Sequence, residues 1–212
     1  MEAYVFRNCV LISALALSTA APSLAFAQTQ SQPAAEFYNP CESEAFAEWD
    51  FWIGDWVAFD YDTGVVQGID RIEKINNGCV IVQDWSQMTD RYRSPGSPDR
   101  YAGISYNTLV PGADGPVWEQ TWISQYGGVV RLRGGLDADG RIVISTPEFP
   151  TQSGQIAMRT WYWAPLDGGR IHSWGEVRVR DEGGAFAEPT IPWNLIYVSR
   201  HDIPNLIAVT ED

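Results

Sequence analysis

The sequence predicts an all-β protein, a single antiparallel up-and-down barrel of about ten strands with a short helical turn ahead of the first. Three observations carry this. Short strand-like runs alternate with turn residues from Phe51 to His201. No long segment repeats its apolar residues with a helical period. The length fits one domain: cut after Ala27, the 212-residue chain leaves 185, within the range of a single barrel. A two-sheet sandwich is the alternative, but closing the sheet removes the unpaired edges that a sandwich must manage.

The ends come first. Residues 1–27 read as a secretory signal peptide, with Arg7 before the apolar run Val10 to Ala21 and an A-x-A site at Ala25-Phe26-Ala27. Twelve residues are too few to span a bilayer, which needs about 20. The expected product is exported, periplasmic or extracellular, and not membrane-inserted. Residues 28–40, rich in Gln, Ser, Pro and Ala, form a mobile leader. The barrel domain occupies 41–212, with a helical turn over Cys41 to Trp49.

Strands are expected at Phe51–Tyr61, Val65–Ile75, Cys79–Met88, Tyr101–Thr108, Val117–Ser124, Gly128–Leu136, Arg141–Ser145, Ile156–Ala164, Arg170–Arg180 and Trp193–His201. Between them lie Asp62-Thr63-Gly64, Asn76-Asn77-Gly78, Pro111-Gly112-Ala113-Asp114-Gly115, Asp137-Ala138-Asp139-Gly140 and Asp167-Gly168-Gly169, all with turn chemistry. Two longer loops stand apart, Thr89–Arg100 and Asp181–Pro192. In Val130-Arg131-Leu132-Arg133 the apolar residues face one way and the arginines the other.

A formal net charge of −13 disfavours nucleic acid and anionic membrane surfaces as partners, since both require basic patches. A soluble monomer is expected. Cleavage removes Cys9 and leaves Cys41 and Cys79. An even count in an oxidising compartment points to one disulfide between them.

Four strands place a hydrogen-bonding residue two positions before a Trp: Gln83-x-Trp85, Gln120-x-Trp122, Arg159-x-Trp161 and His172-x-Trp174. Strand periodicity puts each pair on one face, and a large indole favours the interior. Aromatic walls with a few placed polar groups describe a small-molecule pocket. These eight residues are therefore the candidate ligand-binding set, with Arg159 the candidate to fix an anionic group. The competing reading is a filled core with a satisfied polar network.

The chain also resembles a family of exported bacterial proteins with a lipocalin-like domain of unknown function. The resemblance rests on Phe51-Trp52-Ile53-Gly54-Asp55-Trp56, Gly78-Cys79-Val80-Ile81, Gly103-x-Ser105-x-Asn107, Trp118-x-Gln120-x-Trp122-Ile123, Gly134-Gly135 and Arg159-x-Trp161, and runs from about Cys41 to Arg200. It implies a lipocalin-like barrel and no established activity. The wider calycin group places Gly-x-Trp on the first strand beneath a cation on the last. By that resemblance Gly54, Trp56 and Arg200 would form a structural clamp. Where the family continues the Asp181–Pro192 region with Gly-Gly-x-Thr-Trp, this chain has Gly183-Gly184-Ala185-Phe186.

Other chemistry is thinly represented. Haem would require His172 or His201 as an axial ligand, and neither sits in an attachment motif, so no cofactor is expected. Residues 172 and 176 share a face, but three zinc ligands are not assembled by spacing. Asp137-Ala138-Asp139-Gly140 echoes a calcium loop without its distal Glu, so no metal is expected. No G-x-S-x-G elbow occurs. Glu176 and His172 are the catalytic candidates, by general acid–base action, with Arg159 an alternative partner for Glu176. Three functions stay open: a binder of a small apolar or amphipathic molecule, an isomerase- or cyclase-type enzyme using the same pocket, and a structural or interaction module with a filled barrel.

Overall fold

The computed structural model describes residues 39–203. The expected signal peptide, and the leader up to Tyr38, lie outside the described residues. Eleven strands follow three short helical turns. The turns are Pro40–Glu42, α1 (Glu44–Ala47) and Asp50–Trp52. The strands are β1 (Gly54–Asp60), β2 (Val66–Ile75), β3 (Val80–Gln87), β4 (Ala102–Gly112), β5 (Gly115–Ser124) and β6 (Val129–Leu136). They continue with β7 (Ile142–Ser145), β8 (Phe149–Pro150), β9 (Ile156–Pro165), β10 (Ile171–Val179) and β11 (Thr190–Ser199). Every pairing is antiparallel, each strand lies beside its sequence neighbours except that β7 passes over β8 to pair with β9, and β11 returns to β1 through Trp56 and Ser199. Ten strands thus close a barrel. The two-residue β8 adds only a short flap beside β9.

All ten expected strands are present. The first is shorter than expected because residues 50–52 turn in a 3-10 helix before Gly54, whose φ is +150°. The β2–β3 reversal uses Asn76, Asn77 and Gly78, all at positive φ (52°, 56° and 85°). Asn tolerates that left-handed region better than other non-glycine residues. On β6 the expected alternation holds: Leu132 is buried, Arg131 and Arg133 exposed.

The helical turns plug one end of the barrel. Trp49 and Trp52 are fully buried and stack on each other at 5.0 Å. Trp49 meets Trp118 edge-on at 5.4 Å, and both plug indoles touch Trp163, at 4.9 and 5.2 Å. Lys74 Nζ donates to the Phe46 carbonyl and pairs with Asp50. The Cys41–Cys79 disulfide ties the first turn to the start of β3. Among the described residues no helix is long and apolar enough to cross a membrane.

At the other end, β1, β3 and β10 finish, and β2, β4 and β11 begin. Both long loops, 89–100 and 181–192, therefore lie at this open end.

Candidate functional site

A cavity of about 250 Å³ occupies the open half of the barrel. Five indoles form its walls and floor: Trp85, Trp122, Trp161, Trp163 and Trp193. Trp163 is the floor, resting on the Trp49–Trp52 plug. Inward-facing glycines make room for three of the others. A Cβ at Gly68 would lie 2.4 Å from Trp85, at Gly103 2.3 Å from Trp122, and at Gly175 2.5 Å from Trp193. Gly175 pairs with Trp193 on one side and Trp161 on the other. The two indoles meet edge-on at 6.0 Å above it.

Polar groups are interleaved with the rings. Gln67, Gln83 and Gln87 line it from β2 and β3, Ser173 and Tyr197 from β10 and β11, and Tyr101 from just ahead of β4. Trp122 Nε1 donates to Tyr101 Oη at 3.0 Å, and Trp85 Nε1 to Gln87 Oε1 at 3.2 Å.

The 89–100 loop straps the mouth. Arg91 and Tyr92 line the cavity from above. Arg91 Nη2 donates to the Pro192 carbonyl at 2.6 Å and Nη1 reaches Asp60 at 3.3 Å. The Tyr92 hydroxyl donates to the same Pro192 carbonyl. Tyr92 sits at φ +64°, an uncommon conformation for an aromatic residue. Burial raises the Tyr92 and Tyr101 phenols above their ordinary range, so both stay neutral donors.

Beneath the cavity runs a buried polar network. Gln83 Nε2 donates to Asp70 Oδ2 at 2.7 Å, and Tyr197 Oη lies 3.1 Å from the same oxygen. Ser105 Oγ donates to Gln83 Oε1 at 3.0 Å, Asn107 Nδ2 to Ser105 Oγ at 3.0 Å, and Gln120 Nε2 to Asn107 Oδ1 at 2.7 Å. Asp70 is fully buried, and its Oδ1 has no partner. Burial holds its carboxyl well above the usual range, against the opposing hydrogen bonds from Gln83 and Tyr197.

A raised folded-state value fixes the sign of the pH dependence. The neutral Asp70 supports the fold in full below the ordinary carboxylate range. That support drains away as pH rises toward and through the raised value. Wild-type unfolding free energy is therefore expected to fall across this window relative to Asp70→Asn, which keeps the neutral shape. An ionised buried group without a cation costs several kcal/mol, so the gap is large enough to read. Urea denaturation of both proteins at several pH values measures it. A wild type that gains stability on Asp70→Asn as pH rises would show the carboxylate to be the favoured form.

The candidate residues separate into three groups. Gln83, Trp85, Trp122 and Trp161 line the cavity. Gln120 points inward but lies below it, fully buried in the network. Arg159 shares the inner face with Trp161 yet sits at the rim, its guanidinium 4.3 Å over the Phe149 ring. Partial burial there lowers its pKa. The cation bordering the cavity is Arg91, not Arg159.

His172 and Trp174 lie on the outer wall, contrary to expectation. Ile171, Ser173 and Gly175 take the inner face of β10. Outside, Tyr61, His172, Trp174 and Tyr162 form a continuous ring stack with successive centroids 4.6, 4.5 and 4.5 Å apart. His172 Nε2 pairs with Asn194 Oδ1 at 2.7 Å. The indole is thus shielded without entering the core. Glu176 is on the same outer wall, paired with Arg178 at 3.1 Å and near the Tyr162 hydroxyl. Neither catalytic candidate reaches the cavity.

The expected clamp is also absent. Arg200 is exposed in a 3-10 turn after β11, and among the described residues no cation lies over the Trp56 ring. Trp56 is buried and donates its indole N–H to the Trp52 carbonyl at 2.8 Å. The Trp56 indole thereby ties β1 to the plug, and its link to β11 is the Ser199 pairing and an edge-on contact with Tyr197 at 6.4 Å rather than a cation.

No histidine lines the cavity, and His201 is exposed in the terminal turn, so the residues do not fit haem ligation. Asp137 spends its carboxylate on the backbone N–H groups of Asp139 and Arg141 and on the Arg141 side chain, which is turn chemistry. Among the described residues no cluster of three or more His, Cys, Asp or Glu is placed for a metal.

Arg91, Tyr92, Asp70, Tyr197 and Trp193 were not singled out by sequence. Asp70 carried a signal: it occupies the inner parity of β2, between Gly68 and Ile72. Trp193 carried one too, in the small Gly175 opposite it. Compared with known proteins, the chain matches no family model and no curated sequence.

Proposed function

We propose that the protein is an exported, monomeric, lipocalin-like carrier that holds one small aromatic or amphipathic molecule in the open half of its barrel. The observation that carries this is the cavity of about 250 Å³ walled by five indoles. It has room for about eight waters at ~30 Å³ each, which suits a one- or two-ring molecule. Filling such a space with side chains would gain up to about 6 kcal/mol on the residual-cavity scale of ~24 cal/mol per Å³. That is a large share of a typical stability, and the barrel forgoes it: the indoles seated against Gly68, Gly103 and Gly175 line the space without filling it. A filled structural module has no reason to do so. Enzyme action through Glu176 or His172 loses its support because both lie outside. The signal-peptide pattern of residues 1–27 and the Cys41–Cys79 disulfide support export.

Native mass spectrometry of the mature protein against a panel of one- and two-ring aromatics tests the reading. One-to-one binding is expected. Trp161→Ala should weaken it about 2- to 10-fold, the worth of one aromatic contact, while His172→Ala on the outer wall leaves it unchanged. No binder in the panel, or binding indifferent to Trp161, removes the reading.

A further inference from the structure

We propose that the ligand is a neutral aromatic carbonyl compound whose oxygen accepts a hydrogen bond from Tyr197, with Asp70 behind it as a neutral acid that frees the tyrosine hydrogen for that purpose. This rests on the cavity being a binding site.

The direction of the buried network carries the inference. Each amide and hydroxyl passes a hydrogen to the next strand: Gln120 to Asn107, Asn107 to Ser105, Ser105 to Gln83 and Gln83 to Asp70. Because Gln83 Oε1 is taken by Ser105, its amide group must donate to Asp70 Oδ2. No Lys, Arg or His pairs with Asp70 among the described residues, and its Oδ1 is bare. An ionised carboxylate in that position would be a buried charge with one oxygen unpaired. A proton on Oδ1 would add a donor with no acceptor. A proton on Oδ2 reaches Tyr197 Oη at 3.1 Å while the same oxygen still accepts from Gln83. A carboxylic acid kept neutral by an apolar site is an effective donor. Protonation at Oδ2 reverses the hydrogen bond that Tyr197 would give an ionised carboxylate: the Tyr197 oxygen becomes an acceptor toward Asp70, and its own hydrogen is left without a protein partner. Tyr197 lines the cavity.

The rest of the lining agrees in sign. Tyr101 Oη accepts from Trp122 and keeps its own hydrogen. The indole N–H groups of Trp161 and Trp193, which also line the cavity, find no acceptor among the described residues. The amide oxygens on the wall are occupied, Gln87 Oε1 by Trp85 and Gln67 Oε1 by Gln87 and Thr89, while Ser173 Oγ gives its hydrogen to the Tyr162 carbonyl and keeps its lone pairs. A cavity whose spare donors outnumber its open acceptors selects a molecule that brings an oxygen acceptor. Charge selects against an anion. Arg91 is already paired with Asp60, and the chain carries a formal −13, which repels anions at a distance.

The test compares two probes of nearly the same shape, acetophenone and isopropylbenzene, by calorimetric titration of the mature protein. Tyr197→Phe is expected to erode the preference for acetophenone by about two- to twelvefold, the worth of one neutral hydrogen bond, and to leave isopropylbenzene unchanged. Asp70→Asn can offer Gln83 and Tyr197 only an amide oxygen at that position, which takes the tyrosine hydrogen back, so it should erode the preference as well. Infrared difference spectra supply readouts independent of how Tyr197→Phe folds. Wild type at neutral pH should show a protonated-carboxyl band that Asp70→Asn lacks, and the carbonyl band of bound acetophenone should move to lower frequency. If both probes bind and Tyr197→Phe or the infrared bands show no difference, the carbonyl assignment falls while the pocket stands. If neither probe binds, the pocket reading falls and this inference with it.

Discussion

Trp52→Ala is expected to lower the unfolding free energy by about 3–5 kcal/mol, the range for removing a large buried aromatic. For a domain of this size the melting temperature should drop on the order of 10 °C. Trp52 is fully buried, stacks on Trp49 at 5.0 Å and touches Trp163 at 5.2 Å. Its neighbours are other plug and wall indoles, which cannot collapse into the gap without moving a strand, so the cavity term should be near its full size. Trp174 is the control. It too stacks on two rings, but on the outer wall and only partly buried, so Trp174→Ala should cost nearer the 0.5–1.5 kcal/mol of an aromatic pair plus a fraction of its burial. Denaturation followed by far-ultraviolet circular dichroism compares the two without relying on indole emission. Equal losses would mean that the plug is not part of the core. The loss should also reach the ligand site, because Trp163 is at once the plug's neighbour and the cavity's floor.

The architecture was legible because it is written in local chemistry. Turn residues such as Asn76-Asn77-Gly78 punctuate the chain wherever a hairpin reverses, and period-two alternation sets each strand face. The face assignment failed on β10 for an identifiable reason. The rule that indoles turn inward treats each Trp alone, whereas Trp174 is covered by Tyr162 and His172, which arrive from β9 and from β10 itself. Gly175 and Ser173 were the better guides, since a barrel packed with Trp161 and Trp193 needs small residues opposite them. Arg200 failed because the clamp depended on resemblance rather than on any pairing readable in this chain. Arg91 and Tyr92 were hidden for another reason. They reach the cavity only because the 89–100 loop crosses the mouth to Pro192, about 100 residues further on, and no local pattern encodes such a contact. The Thr89–Arg100 loop stood out by length, but length does not say what a loop covers.

Removing the disulfide, by Cys41→Ser with Cys79→Ser, is expected to cost about 4 kcal/mol, from the closure entropy of the loop between the two cysteines. The bond holds the first helical turn against the β2–β3 hairpin, where Asn39 Nδ2 also donates to the Asn77 carbonyl at 2.8 Å. Thiol titration of the unfolded, unreduced mature protein should find no free thiol; two per chain would show that the bond does not form. The disulfide and the plug indoles restrain the same short segment, 40–52, from its two ends, so their contributions should not add. In the disulfide-free protein the segment can leave the barrel end, and a Trp52 that is already undocked part of the time has less to lose. Trp52→Ala should therefore cost less in that background than in the wild type. Equal costs in both backgrounds would mean that Trp49 and Trp52 hold the plug unaided, and that the bond acts only on the unfolded chain.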